Sequence, residues 1–144
     1  MKLERIGLIG YGEVGKIFCA GLLKQPGVTG VGAWDLKFAQ AATQATERAH
    51  AAQAGIDAHS CMQALCEDSE LILSAVTASA TLAVAQEAAA FIRTGTIFLD
   101  LNSASPGTKQ QAATLIEAAG GHYVEAGVMT WVPRYGIKVP MLLG

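Results

Sequence analysis

Charge is scarce in this chain: Asp, Glu, Lys and Arg make up 15% of its 144 residues and nearly cancel, leaving a formal net charge of -2 and a pI near 5.9. No basic stripe is available to follow a phosphate backbone or an anionic lipid surface, which sets nucleic acid and membrane aside as partners. Long apolar runs are missing too. The most apolar later stretch, Leu71 to Phe91, is broken by Ser, Thr, Gln and Glu, short of the roughly 20 apolar residues a bilayer span needs. No basic leader with an apolar core precedes Ile6, and the expected compartment is the cytoplasm. Cysteine is limited to Cys19, Cys61 and Cys66, an odd number with no C-x-x-C pair, and His50, His59 and His122 lie scattered. That pattern suits neither a disulfide framework nor a zinc site, so reduced thiols and no metal are expected.

What is abundant is small and aliphatic. The chain is 51% hydrophobic with only 6% aromatic residues, enough apolar surface to offset the ordering entropy of one domain of this length. Apolar strands alternate with amphipathic helices along it. Lys2 to Ile9 reads as a strand, and Val14, Ile17, Phe18, Gly21 and Leu22 form one helical stripe after it. Pro26 and Gly27 break the chain, Val28 to Trp34 reads as a second strand, and Phe38 to about Ala52 as an Ala-rich helix stopping near Gly55. A brief strand at Ile56 to Ala58 leads to a helix from Ser60, where Ser60 and Gln63 have capping-box spacing. Leu71 to Val76 follows as a buried strand, Leu82, Ala85, Ala89 and Ile92 as a helix stripe closed by Gly95, and Thr96 to Leu101 as another strand. Ser105 and Pro106 suit the N-cap and first turn of a helix with Ala112, Leu115, Ile116 and Ala119 buried. His122 to Val128 and Val139 to Leu143 complete the strands, with a Pro-containing loop through Pro133 to Gly136 between them. The fold class is α/β, a doubly wound, mostly parallel sheet of Rossmann type covered on both faces.

Gly10, Gly12 and Gly15 satisfy G-x-G-x-x-G between the first strand and its helix. The first glycine permits a tight turn, the second lets backbone approach a pyrophosphate, and the third brings helix close to sheet, with helix N–H groups facing the phosphates. Asp35, 20 residues past Gly15 at the end of the second strand, can accept hydrogen bonds from ribose hydroxyls and would repel a 2'-phosphate. The plain alternative makes the glycines a packing device and Asp35 a helix cap. Lys37, two positions on, could accommodate a phosphate, so NAD is the expected cofactor and NADP its alternative. An S-adenosylmethionine methyltransferase also has a glycine turn and an acid after its second strand, but usually an acidic residue before the first glycine, where this chain has Ile9.

"FLDLNSASPG", Phe98 to Gly107, sets Asn102 and Ser103 just past a strand's carboxyl end, where doubly wound sheets bind ligands; the alternative reads them as turn formers. Together with "GLIGYGEVG" and "SAVTASA", this stretch resembles the β-hydroxyacid dehydrogenases, among them 3-hydroxyisobutyrate and 6-phosphogluconate dehydrogenases, over the whole chain. "VEAGVMTWVPRYGIKVPMLLG" has Glu125 for the family's acid, and Met129, Thr130 and Trp131 where small residues are usual. Val128, Met129, Val132, Pro133, Lys138 and Pro140 are closer to a 6-phosphogluconate dehydrogenase-like branch.

The resemblance implies cofactor contacts from Gly10, Tyr11, Gly12, Glu13, Val14, Gly15, Asp35, Val76 and Thr77, and substrate contacts from Asn102 and Ser103 on the family's serine and threonine positions. It implies an NAD(P)-dependent dehydrogenase acting on a CH–OH group of a small anionic hydroxyacid. In the family, a helical C-terminal domain carries the catalytic lysine and forms a homodimer. No residue here matches that lysine, Lys138 included, so residues 1–144 are expected to be the dinucleotide-binding domain, without a catalytic residue and inactive alone. The alternative is a non-catalytic regulatory module that binds NAD(H).

Overall fold

The computed structural model of the chain describes residues 3–128 and 141–143. Its elements in order are β1 (Arg5–Ile9), α1 (Glu13–Leu23), β2 (Gly30–Trp34), α2 (Gln44–Ala54), β3 (Asp57–Ala58), α3 (Met62–Glu67), β4 (Leu71–Ser74), α4 (Thr81–Ala89), β5 (Ile97–Asp100), α5 (Pro106–Ala118), β6 (His122–Val128) and β7 (Met141–Leu143). They build a single sheet of order β3-β2-β1-β4-β5-β6-β7. The first six strands are parallel, and β7 runs antiparallel to β6 with Ala126 opposite Leu143. Lys2, residues 129–138 with the Pro133 to Gly136 loop, and residues 139–140 of the expected last strand lie outside the described residues.

Side-chain alternation along each central strand feeds two cores. Ile6 and Leu8 of β1 and Leu73 of β4 join Phe18 of α1 and Phe38 and Ala51 on one face. On the other, Ile72 of β4 and Phe98 of β5 meet Leu65 of α3, Ala85 of α4 and Ile116 of α5. Burial on both faces is why these strands read as near-continuous apolar runs rather than alternating ones. Helix α5 starts as its sequence predicts: Ser105 is the N-cap, its hydroxyl accepts from the Thr108 N–H at 3.3 Å, and Pro106 opens the first turn.

Three local expectations are corrected. The helix expected from Phe38 starts at Gln44 instead, after a 3₁₀ turn at Leu36–Phe38. The Asp35 carboxylate accepts from the Lys37 N–H at 2.9 Å, the turn drives Phe38 fully inside, and the Thr43 hydroxyl donates to the Lys37 carbonyl at 2.9 Å. Residues 39–42 are all exposed, so no apolar face supports a helix there and alanine propensity alone does not sustain one. The Ser60–Gln63 capping box does not form, because the N-cap of α3 is Cys61 and the Gln63 amide donates to Glu67 at 3.1 Å. Helix α4 ends at Ala89 rather than near Gly95.

Phe38 closes the space between the loop after β2 and the rings of Tyr11 and Trp34, at centroid distances of 5.4 and 6.5 Å. Phe38→Ala is expected to lower stability by about 3–5 kcal/mol, measured as a shift of the chemical denaturation midpoint at unchanged slope.

Candidate functional site

Chain direction reverses at the centre of the sheet. From β1 the chain winds through α1 to β2, and from β4 it winds the other way to β5. The loops after these two neighbouring strands therefore part and leave a crevice at their carboxyl ends. A cavity of about 600 Å³ occupies it. Ile9, Gly10 and Ala75 lie at the strand ends; Gly12, Glu13 and Val14 come from the glycine turn, Trp34, Asp35 and Leu36 from the end of β2, and Val76 and Thr77 from the loop after β4.

The glycine turn is shaped by what its residues lack. Gly10 has φ +107°, and a Cβ there would strike the Ala75 carbonyl oxygen, so only glycine takes this conformation without strain. Its N–H donates to the Trp34 carbonyl at 2.8 Å, joining the ends of β1 and β2. A Cβ on Gly15 would collide with the Gly10 carbonyl oxygen. Gly12 is different in kind: a Cβ there meets nothing within 4 Å and would fill cavity space. No side chain caps α1, which leaves its first-turn N–H groups and positive dipole end for an occupant. A dinucleotide pyrophosphate fits that cradle, with Glu13 at its edge as the one charge of unfavourable sign in the turn.

Asp35 is half-buried and organises the next wall. Its Oδ2 accepts from the Tyr11 N–H at 2.7 Å and its Oδ1 from the Lys37 N–H, while the Lys37 ammonium donates to the Tyr11 carbonyl at 3.4 Å. Asp35 is thus both a cap and a cavity residue. Tyr11 points away from the cavity. Its ring is 1% exposed, its hydroxyl lies 2.7 Å from His50 Nδ1, and burial, with Cys19 and Glu47 nearby, pushes its pKa up to about 12. Of the sequence-derived cofactor residues, Tyr11 and Gly15 do not line the cavity.

Asn102 and Ser103 part company. Asn102 is 4% exposed and faces inward: its Oδ1 accepts from the Val76 N–H at 2.7 Å, its Nδ2 donates to Ser74 Oγ at 3.0 Å, and its N–H donates to Asp100 Oδ1 at 2.8 Å. The expected free amide is engaged in holding the loop after β4, with one Nδ2 proton left over. Ser103 is exposed at the rim, and neither residue lines the cavity. Buried Asp100 also accepts from the Tyr123 hydroxyl at 2.5 Å, and burial followed by the Asp100 carboxylate raises the pKa of Tyr123 above its usual value. Nothing in the sequence pairs Tyr123 with Asp100, since the contact depends on β6 lying beside β5.

Sequence reasoning missed Trp34, Leu36 and Met62, and the stripe that runs from Ala80, the N-cap of α4, through Ala83, Val84 and Glu87 of the helix. That stripe has i, i+3, i+4, i+7 spacing and was readable as a second face of the helix whose other stripe packs the core. The buried thiols of Cys19 and Cys66 are pushed up to about 12 by burial, and Cys61 is exposed; all three are free. Among the described residues no group of three His, Cys, Asp or Glu could hold a metal ion, and no helix is long and apolar enough to cross a membrane.

A family model described as the NAD binding domain of 6-phosphogluconate dehydrogenase matches residues 5–130. Among solved structures, a conserved hypothetical protein from Sinorhizobium meliloti 1021 is 36% identical with a TM-score of 0.91, over 99% of this chain and 47% of its own. A conserved protein of unknown function, described as structurally similar to 3-hydroxyacid dehydrogenases, is 29% identical with a TM-score of 0.77, over 96% of this chain and 49% of its own. The Mycobacterium tuberculosis 3-hydroxyisobutyrate dehydrogenase with L-serine is 19% identical with a TM-score of 0.82, over 99% of this chain and 46% of its own, a likeness of fold. The chain spans about half the length of these structures. No curated protein sequence matches it.

The two glycines should separate in a stability measurement. Gly15→Ala forces α1 off the Gly10 carbonyl and is expected to cost about 2 kcal/mol or more, whereas Gly12→Ala costs no more than the roughly 1 kcal/mol of a changed N-cap; thermal unfolding of both variants checks this. Alkali should unfold the chain through its tyrosines. Both Tyr11 and Tyr123 have folded-state pKa values raised above the usual 10, so their contribution is fully present below pH 10 and is lost as pH rises beyond it. In urea titrations between pH 9 and 12, Tyr123→Phe should show a shallower alkaline loss than the wild type.

Proposed function

The chain belongs to the family of the NAD-binding domain of 6-phosphogluconate dehydrogenase, and from that membership we propose that it presents NAD to a small anionic hydroxyacid in a dehydrogenase of CH–OH groups. One observation carries the reading: an uncapped helix N-terminus beside the open space at Gly12, and an acid at the end of β2, share one cavity. First-turn N–H groups of α1 hold the pyrophosphate, and the Asp35 carboxylate takes the ribose hydroxyls while keeping its bonds to the Tyr11 and Lys37 N–H groups. Val76 and Thr77 run along the dinucleotide, held by the bond from the Val76 N–H to Asn102. When bound, the nicotinamide supplies the hydride acceptor or donor.

The substrate carboxylate or hydroxyl is met at the rim by the exposed Ser103 hydroxyl, and buried Asn102 serves it by holding the loop after β4 in place. Proton transfer at the substrate hydroxyl needs a general acid and base, worth about 10²- to 10⁴-fold. We assign that task to a lysine on a helical domain that follows the dinucleotide domain of residues 1–144 and also pairs two copies into a homodimer, in the cytoplasm. By itself the chain binds cofactor and turns over no substrate.

Calorimetric titration should show NADH binding to the 144-residue chain more tightly than NADPH, because a 2'-phosphate beside Asp35 adds like-charge repulsion. Asp35→Ala should weaken NADH binding by about 1.5–3 kcal/mol and narrow the NADH to NADPH ratio, with Asp35→Asn in between. An unchanged ratio would mean that Asp35 only caps its turn. Gly12→Val, which fills the cradle, should abolish binding, and the absence of any heat with millimolar NADH in folded wild type would overturn the proposal.

A further inference from the structure

We propose that Glu87 selects adenine at this site by accepting a hydrogen bond from the exocyclic amino group of the base, an inference that rests on the dinucleotide reading above. The pyrophosphate cradle at Gly12 and the ribose acid Asp35 account for only part of the cavity. Beyond Asp35 the wall changes character, with Trp34, Leu36, Met62 and Val84 offering apolar surface. Leu36 is 67% exposed, the large hydrophobic residue the fold leaves uncovered among the described ones, and a flat heteroaromatic base laid on it would remove that surface from water. Small side chains at Ala80 and Ala83 keep the opposing face of α4 low.

The α4 stripe rises about 10 Å from Ala80 to Glu87 at 1.5 Å per residue, so its carboxylate stands at the far end of the apolar wall, away from the glycine turn. Glu87 is exposed and, among the described residues, no ion pair engages it. It also sits in the last turn of α4, where the negative end of the helix dipole disfavours a carboxylate and no basic residue offsets it. A local rule broken on a cavity-facing stripe is a mark of use rather than of folding. A carboxylate has only acceptors to offer. Adenine presents an amino donor at position 6, which suits a carboxylate placed there, while hypoxanthine and guanine present a carbonyl oxygen at that position, which repels it, and carry their nearest donor one atom away at N1–H.

The test compares NADH with reduced nicotinamide hypoxanthine dinucleotide, in which a carbonyl replaces the 6-amino group and N1 gains a proton, by fluorescence titration of wild type, Glu87→Ala and Glu87→Gln, with thermal melts to check the fold. Wild type should favour NADH about tenfold, the effect of one hydrogen bond to a charged group. Glu87→Ala should bring the ratio to within about twofold of unity, and Glu87→Gln, whose amide can accept from the amino group or donate to the carbonyl, should narrow it to a similar value. A wild type without preference, or a preference that survives in both variants, overturns the role of Glu87 while leaving the cofactor reading intact. Binding of neither dinucleotide to wild type overturns both.

Discussion

Everything at the carboxyl edge of the sheet depends on backbone meeting backbone without a Cβ between. The carbonyl of Gly10 lies against the position where Gly15 would carry a side chain, and Gly10 itself lies against the carbonyl of Ala75. Helix α1 can therefore start close over the end of β1 and pack against β1 and β2. Its N-terminus then opens onto the crevice that the reversal of strand order creates. Close packing is set by Gly10 and Gly15, and the free volume that follows from it lies at Gly12.

The walls of that crevice are tied down by polar groups that face inward as well as outward. Asp35 accepts from two backbone N–H groups, one in the glycine turn and one in its own turn, so the residue suited to reading a ribose also holds the loop that a pyrophosphate needs. Asn102 does the same for the opposite wall, bridging Ser74 and the Val76 N–H. Asp100, with Tyr123, supports Asn102 from below. These are preorganised contacts: the loops need little further ordering when a ligand arrives, which keeps the entropic cost of binding low.

The apolar half of the cavity is built from side chains, where the glycine turn is built from backbone. Trp34, Leu36, Met62 and Val84 come from four separate segments: β2, the 3₁₀ turn after it, α3 and α4. Glu87, in contrast, makes no ion pair among the described residues and breaks the charge preference of its helix. Specificity is carried by such residues, because a polar group placed at the end of an apolar wall discriminates more sharply than the wall does.

Strand and helix order, the glycine turn and the acid at the end of β2 were legible because each is a local pattern: period, spacing, or a residue whose backbone freedom is needed at that point. The cap at Ser105 was legible for the same reason, since its partner is three residues away. The late start of α2 was not, because Phe38 is drawn inward against Tyr11, a residue distant in sequence that comes within reach only after β1 and β2 pair. Nor was the inward turn of Asn102, whose partners Ser74 and Val76 become neighbours only when β4 and β5 align. The amino acid sequence by itself determined which elements form and where the chain can turn tightly. Tertiary structure decided which side chains face the cavity, because a polar group takes whichever hydrogen-bond partner the packed strands bring within reach, and a buried one left without a partner would be too costly to keep.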